Sequence, residues 1–163
     1  MTSRRRASAF TLIELVLVLA LIAMLLAAAA PRFSGFGRGQ RLDNAVESFL
    51  AAARHARGQA IATAMPHRLE VDAGRGVYWV SRFEGQSFVP VAGEWGRETT
   101  LPEDVDIAIE RFDESNSPAL DYAANGSGTP VTVVFTSAWG RVVELSATGL
   151  ADPLRRVRQD GGS

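Results

Sequence analysis

The stretch "RRRASAFTLIELVLVLALIAMLLAAAAPRF", residues 4–33, decides how this chain is built. Three arginines precede an apolar run from Phe10 to Ala30 in which Glu14 is the only charge and Thr11 the only other polar side chain. As a helix those residues would rise about 31 Å, which matches the hydrocarbon thickness of a bilayer. Arg4, Arg5 and Arg6 lie immediately before the run and no basic cluster of similar density follows it. The positive-inside rule therefore places residues 1–9 in the cytoplasm and the C-terminal part on the opposite side. Glu14 stands out, because a carboxylate at membrane depth costs roughly 2.5–3.5 kcal/mol on insertion scales.

Three readings compete for this segment. A cleaved secretory signal peptide would explain the basic start and the small residues at 27–30. It would put Glu14 in an uncharged region and Pro31 directly after the scissile bond, where the fixed backbone and missing N–H are unfavourable. An uncleaved signal anchor explains length and topology and leaves Glu14 without a role. The third reading rests on Ala9-Phe10-Thr11-Leu12-Ile13-Glu14-Leu15, which resembles the processing site of type IV prepilins and type II secretion pseudopilins.

In that family a short basic leader ends in a small residue, phenylalanine opens the mature chain, glutamate is fifth, and the apolar helix runs to a proline. Phe10, Glu14 and Pro31 occupy those places here; Ala9 departs from the usual glycine before the cut. The resemblance implies that a prepilin peptidase cuts between Ala9 and Phe10 and methylates the new amine of Phe10. It implies a mature chain of 154 residues (163 − 9). Glu14 would pair with the N-terminal amine of a neighbouring subunit and set axial register in a filament, and Pro31 would kink the helix. A carboxylate in hydrocarbon seeks a cationic partner, and such an amine supplies one.

From Pro31 the pattern changes. "PRFSGFGRG" (31–39) reads as a bend or loosened segment. Over 40–64, apolar residues at Leu42, Ala45, Val46, Phe49, Leu50, Ala53, Ala56, Ala60 and Ile61 follow the spacing of one buried helix face, with Asp43 and Glu47 largely on the other side. Pro66 ends this helix. Short alternating runs then predict strands at 67–72, 77–83, 87–92, 105–112, 131–135, 141–147 and 153–158. Residues 113–130 read as a long polar loop. The class is α+β: leader 1–9, membrane helix 10–30 and head 31–163, the head's helix packing Leu42, Val46, Phe49 and Ala53 on one antiparallel sheet. In the pilin family the two helices form one stalk and the sheet forms the head.

The head narrows the resemblance. "AAARHARGQAIATAMPHRLEVD" (51–72) and "VTVVFTSAWGRVVELSA" (131–147) are similar to the GspH/FimT group, the H-type minor pseudopilins and related minor pilins. The implied function is a structural subunit, probed by no catalytic motif, of a periplasmic pseudopilus in type II protein secretion. Its implied partners are the prepilin peptidase, other major and minor pseudopilins and the inner-membrane assembly platform. The implied location is the inner membrane, with the N-terminus cytoplasmic and the head periplasmic, near the filament tip. A minor type IV pilin for pilus assembly or DNA uptake, and a signal-anchored periplasmic binding domain that never polymerises, remain alternatives.

Composition bounds the rest. The chain has 17 basic residues, all arginine, against 18 acidic ones. Without Arg4–Arg6 the balance is 14 to 18, a net of −4, which argues against a nucleic-acid binder by overall charge. Arg155, Arg156 and Arg158 are the one basic cluster of the head; resemblance to FimT-like pilins implies a phosphate contact, but no aromatic stacking residue lies in 150–163, and a charged edge strand kept from aggregating is the better account. No cysteine is present, and the two histidines, His55 and His67, lack metal-motif spacing, so neither metal nor cofactor is expected. No nucleophile elbow or Ser-x-x-Lys occurs in the head, and no catalytic residue is assigned. Asp113, Glu114 and Asp121 lack calcium-loop spacing. Asn125-Gly126-Ser127 reads as turn chemistry rather than a glycan acceptor. Most of Trp79, Phe83, Trp95 and Trp139 are expected in the core, and Arg57 is expected to reach an acid from the apolar arc of its helix.

Overall fold

The computed structural model describes residues 12–33, 36–111 and 118–160. They fall into two compact units, 1–39 and 40–163, taken here in turn. The first is dominated by helix α1, Leu12–Phe33. Leu and Ala are strong helix formers, and the run holds no glycine. Every side chain from Leu12 to Leu26 is exposed, so the helix is apolar on all sides. A helix of that kind is suited to an apolar environment. Among the described residues no helix is long and apolar enough to cross a membrane; the side chains described in α1, Leu12 to Leu26, cover about 22 Å of rise against a hydrocarbon core of roughly 30 Å.

α1 continues through Pro31 to Phe33, and helix α2 runs from Phe36 to Thr63. The bend expected over 31–39 is thus helical at 31–33 and 36–39. Extending an existing helix avoids the nucleation cost, which outweighs the roughly 1 kcal/mol penalty of each glycine there. At the other end Thr63 Oγ1 donates to the Gln59 carbonyl at 2.7 Å. Ala64 adopts a left-handed φ of 53°, and Pro66 follows, as the sequence predicts.

Among the described residues the second unit holds nine strands: β1 (His67–Asp72), β2 (Val77–Glu84), β3 (Ser87–Pro90), β4 (Thr99–Thr100), β5 (Val105–Arg111), β6 (Ala119–Tyr122), β7 (Val131–Ser137), β8 (Val142–Ala147) and β9 (Arg155–Asp160). They form two antiparallel sheets where one was expected. The first has order β3-β2-β1-β6, with β4 also on β2; the second has order β5-β7-β8-β9. Strand β6 lies inside the stretch read as a loop. Only four residues long, it is too short to show a period, yet Leu120 pairs with Leu69 and both are buried. Asn125-Gly126-Ser127 is a turn: the Asn125 side-chain oxygen accepts from Ser127 N at 2.9 Å and Oγ at 2.7 Å. Gly126 takes φ 80° against Ile61.

The core forms where α2 crosses both sheets. Leu42, Val46, Phe49, Ala53, Ala56 and Ala60 recur at alternating steps of four and three and are all buried. The alanines let the helix approach closely, and Phe49 fills the remaining space. Its ring meets Tyr78 of β2 edge-on at 5.2 Å and Phe135 of β7 at 5.3 Å, one contact to each sheet. Burial pushes the Tyr78 hydroxyl up to about 12. Ile61, expected in this face, is exposed and its side chain lies against Gly126.

Two predictions follow from this packing. Phe49→Ala removes the contact shared by both sheets and should cost about 3–5 kcal/mol, read as a shift of the urea unfolding midpoint. Glu70, on the outer side of β1, has its pKa raised above 4.5, first by burial and then by the Asp121 charge, with Arg68 opposing. A raised carboxyl contributes stability below its unfolded pKa and loses it as pH rises through the folded value. Glu70→Gln should therefore melt higher than the parent at pH 7, with the difference vanishing below about pH 4.

Candidate assembly site

Ala9 and Phe10, the expected processing pair, lie outside the described residues. Glu14 occupies the first turn of α1, where the helix dipole favours an acid, between the exposed side chains of Ile13 and Leu15. Pro31 lies within α1 near its end. Glu14 is thus set in the apolar surface of α1, one helical turn beyond the position of Phe10 in the sequence.

On the head, Arg155 and Arg156 are successive residues of β9 and so face opposite sides of the sheet; the register between β8 and β9 shifts at Glu144/Leu145. Arg156 reaches inward to α2, its Nη1 3.3 Å from Asp43 Oδ1 and its Nη2 3.7 Å from Glu47. Arg155 points outward, 3.9 Å from Asp152. Arg158 stands opposite Glu144 in the ladder. Asp43 also receives Arg141 Nη1 at 3.0 Å and Nη2 at 3.3 Å. One half-buried carboxylate therefore joins α2 to the β7–β8 turn and to β9. The helix pattern places Asp43 on the polar side, and nothing local marks its partners, which lie 98 and 113 residues away.

Other candidates resolve differently. Arg57 donates to the Ala151 carbonyl at 2.7 Å, where an acid was expected, because α2 ends against the loop before β9. Trp79, Phe83 and Trp95 are half-buried and Trp139 is exposed, so the expectation that most are core is corrected; Phe49, Tyr78, Tyr122 and Phe135 fill that role. Asp121 accepts from Arg68 Nε at 2.6 Å, while Asp113 and Glu114 lie outside the described residues. Among the described residues no group of three or more His, Asp or Glu side chains is arranged around a metal position. His55 stacks on Trp95 at 4.7 Å. Burial, then the nearby His67, hold its pKa below the ordinary value, with Glu94 opposing.

An all-apolar N-terminal helix with an acid in its first turn, together with an alanine-faced helix packed on antiparallel sheets, defines a pilin-like subunit. The prokaryotic N-terminal methylation motif matches residues 4–30, and the type II transport protein GspH family matches residues 45–149. The chain belongs to the GspH family, the minor pseudopilins of type II secretion systems. No curated protein matches it. Among solved structures it is similar to the minor pseudopilin EpsH from Vibrio cholerae, with 15% identity, TM-score 0.62, and 77% of this chain and 99% of that one covered. Escherichia coli GspH gives 20% identity, TM-score 0.57, and coverage of 72% and 88%. The type IV minor pilin FimU of Pseudomonas aeruginosa gives 17%, 0.56, and 78% and 98%. At these identities the likeness is one of fold.

Removing the shared carboxylate with Asp43→Ala should lower head stability by roughly 1 kcal/mol. A double-mutant cycle with Arg141→Ala should recover most of that as coupling energy; additive effects would mean the pair contributes nothing.

Proposed function

We propose that the chain is a non-enzymatic filament subunit, cut between Ala9 and Phe10 by a prepilin peptidase, methylated on Phe10, and held in the inner membrane by Phe10–Ala30 with its head in the periplasm. The observation that carries this reading is α1, whose apolar side chains are exposed all round from Leu12 to Leu26. The head meanwhile has its own core between Leu42 and Leu154. A bilayer satisfies α1 before assembly, and the apolar helices of neighbouring subunits satisfy it afterwards. Arg4, Arg5 and Arg6 support a cytoplasmic N-terminus.

In this account Glu14 is the register group. Paired with the amine of the adjacent subunit it offsets the cost of its own burial, and unpaired it favours staying out of the filament. Pro31 supplies a flexible point near the end of α1. The other pseudopilins and the assembly platform are the partners, and the subunit works near the tip. The fold shared with FimU supports a second reading, a minor type IV pilin. DNA retention through Arg155, Arg156 and Arg158 is less well supported, since Arg156 is engaged by Asp43 and Glu47.

Two measurements test the proposal in the native host. Deleting the gene should abolish export of folded proteins to the medium while leaving surface pili intact; loss of pili with normal export would establish the pilin reading instead. Complementation with Glu14→Ala should leave the subunit in the membrane fraction but fail to restore export. Full restoration would remove the register role from Glu14.

A further inference from the structure

The chain contains two histidines and no cysteine, and the fold brings both histidines to one cleft of about 260 Å³. His55 and Gln59, one turn apart on α2, form one wall. Met65 and His67, from the turn after α2 and the start of β1, form another, and Arg82 and Trp95 close the cleft. Nothing in the proposed filament function uses these groups.

The two rings are held differently, and both are fixed. His67 is only 2% exposed, and its Nδ1 lies 2.9 Å from the Met65 carbonyl oxygen. A carbonyl only accepts, so Nδ1 carries the proton and donates, which leaves Nε2 of the neutral ring as a lone-pair acceptor. The His67 ring makes no other hydrogen bond among the described residues. One ring N–H on a backbone carbonyl, with the second nitrogen open, is the arrangement that orients a metal-ligating imidazole. The His55 ring lies within 15° of the Trp95 plane, which fixes its orientation, and its nitrogens have no hydrogen bond among the described residues. The positive charge of Arg82 is compensated, its Nε donating to Glu84 at 2.7 Å.

We propose that this cleft binds one borderline divalent transition-metal ion, of the Ni²⁺, Cu²⁺ or Zn²⁺ class, through Nε2 of His67 and a ring nitrogen of His55. Gln59 oxygen, Met65 sulfur and water are available to complete the shell. Imidazole suits these ions, whereas Ca²⁺ and Mg²⁺ require oxygen ligands in numbers the cleft lacks. Two protein imidazoles make an open site, unlike the four-ligand closure of a structural zinc centre. Because the two ligands come from α2 and β1, the ion would tie the end of the helix to the first strand across the turn at Ala64–Pro66.

Having no other histidine and no cysteine, the chain permits a direct test. In the untagged full chain in detergent, Trp79→Phe and Trp139→Phe leave Trp95, stacked on His55, as the sole indole. Titration with NiCl₂ should then quench its fluorescence saturably, at one ion per chain, while CaCl₂ and MgCl₂ have no effect. His55→Gln and His67→Gln should each weaken Ni²⁺ binding roughly tenfold or more, with an unchanged metal-free circular dichroism spectrum. If the buried His67 variant fails to fold, the half-exposed His55 variant decides. Quenching that does not saturate, or that is equally strong in His55→Gln, overturns the proposal.

Discussion

The fold depends on one constraint: a single helix must cover the inner faces of two sheets at once. α2 meets it with a face of small residues, Ala45, Ala52, Ala53, Ala56 and Ala60, interrupted by the large ring of Phe49. Alanine keeps the helix close to both sheets, and one aromatic ring placed against Tyr78 on one side and Phe135 on the other fills the seam. The Asp43 carboxylate then links the early part of the same helix to Arg141 and Arg156 of the second sheet. Hydrophobic packing sets where the helix lies, and the ion pairs restrain its angle at one end. The contribution of those pairs is modest, since their side chains keep partial contact with water.

The head has its own core between Leu42 and Leu154, and the apolar side chains of α1 from Leu12 to Leu26 are exposed. In the proposed mechanism the subunit has two environments, lipid first and neighbouring helices later. In that proposal Glu14 makes the exchange conditional. A helix with no charge would be equally content in either setting, whereas a carboxylate is relieved only where a cation meets it. The same residue that lowers affinity for hydrocarbon therefore gives direction to assembly in the proposed mechanism.

Much of this was legible in the sequence, for reasons particular residues show. The buried face Leu42–Ala60 was readable because helix periodicity is local, and the strands at 67–72 and 105–111 were readable because they alternate. Strand β6 was hidden, since four residues carry no period and its pairing with β1 is with residues about fifty positions away. The split into two sheets was hidden as well: pairing β5 with β7 and β6 with β1 is a choice between distant partners that no local pattern records. Among the residues singled out above, Glu14 announces itself by its cost, while Asp43 looks like any solvent-facing acid because its arginines lie 98 and 113 residues away. Arg155 and Arg156 are adjacent in sequence, yet strand alternation sends one to Asp152 and the other to Asp43.

The central claim is that the N-terminal segment is a processed filament helix and neither a discarded signal nor a passive anchor. Intact-mass analysis of the full chain co-expressed with a prepilin peptidase tests it most directly. The account predicts a product of 154 residues (163 − 9) starting at Phe10, carrying one added methyl group and dependent on an active peptidase. A chain that stays at 163 residues, or one cut after Ala30, would contradict it.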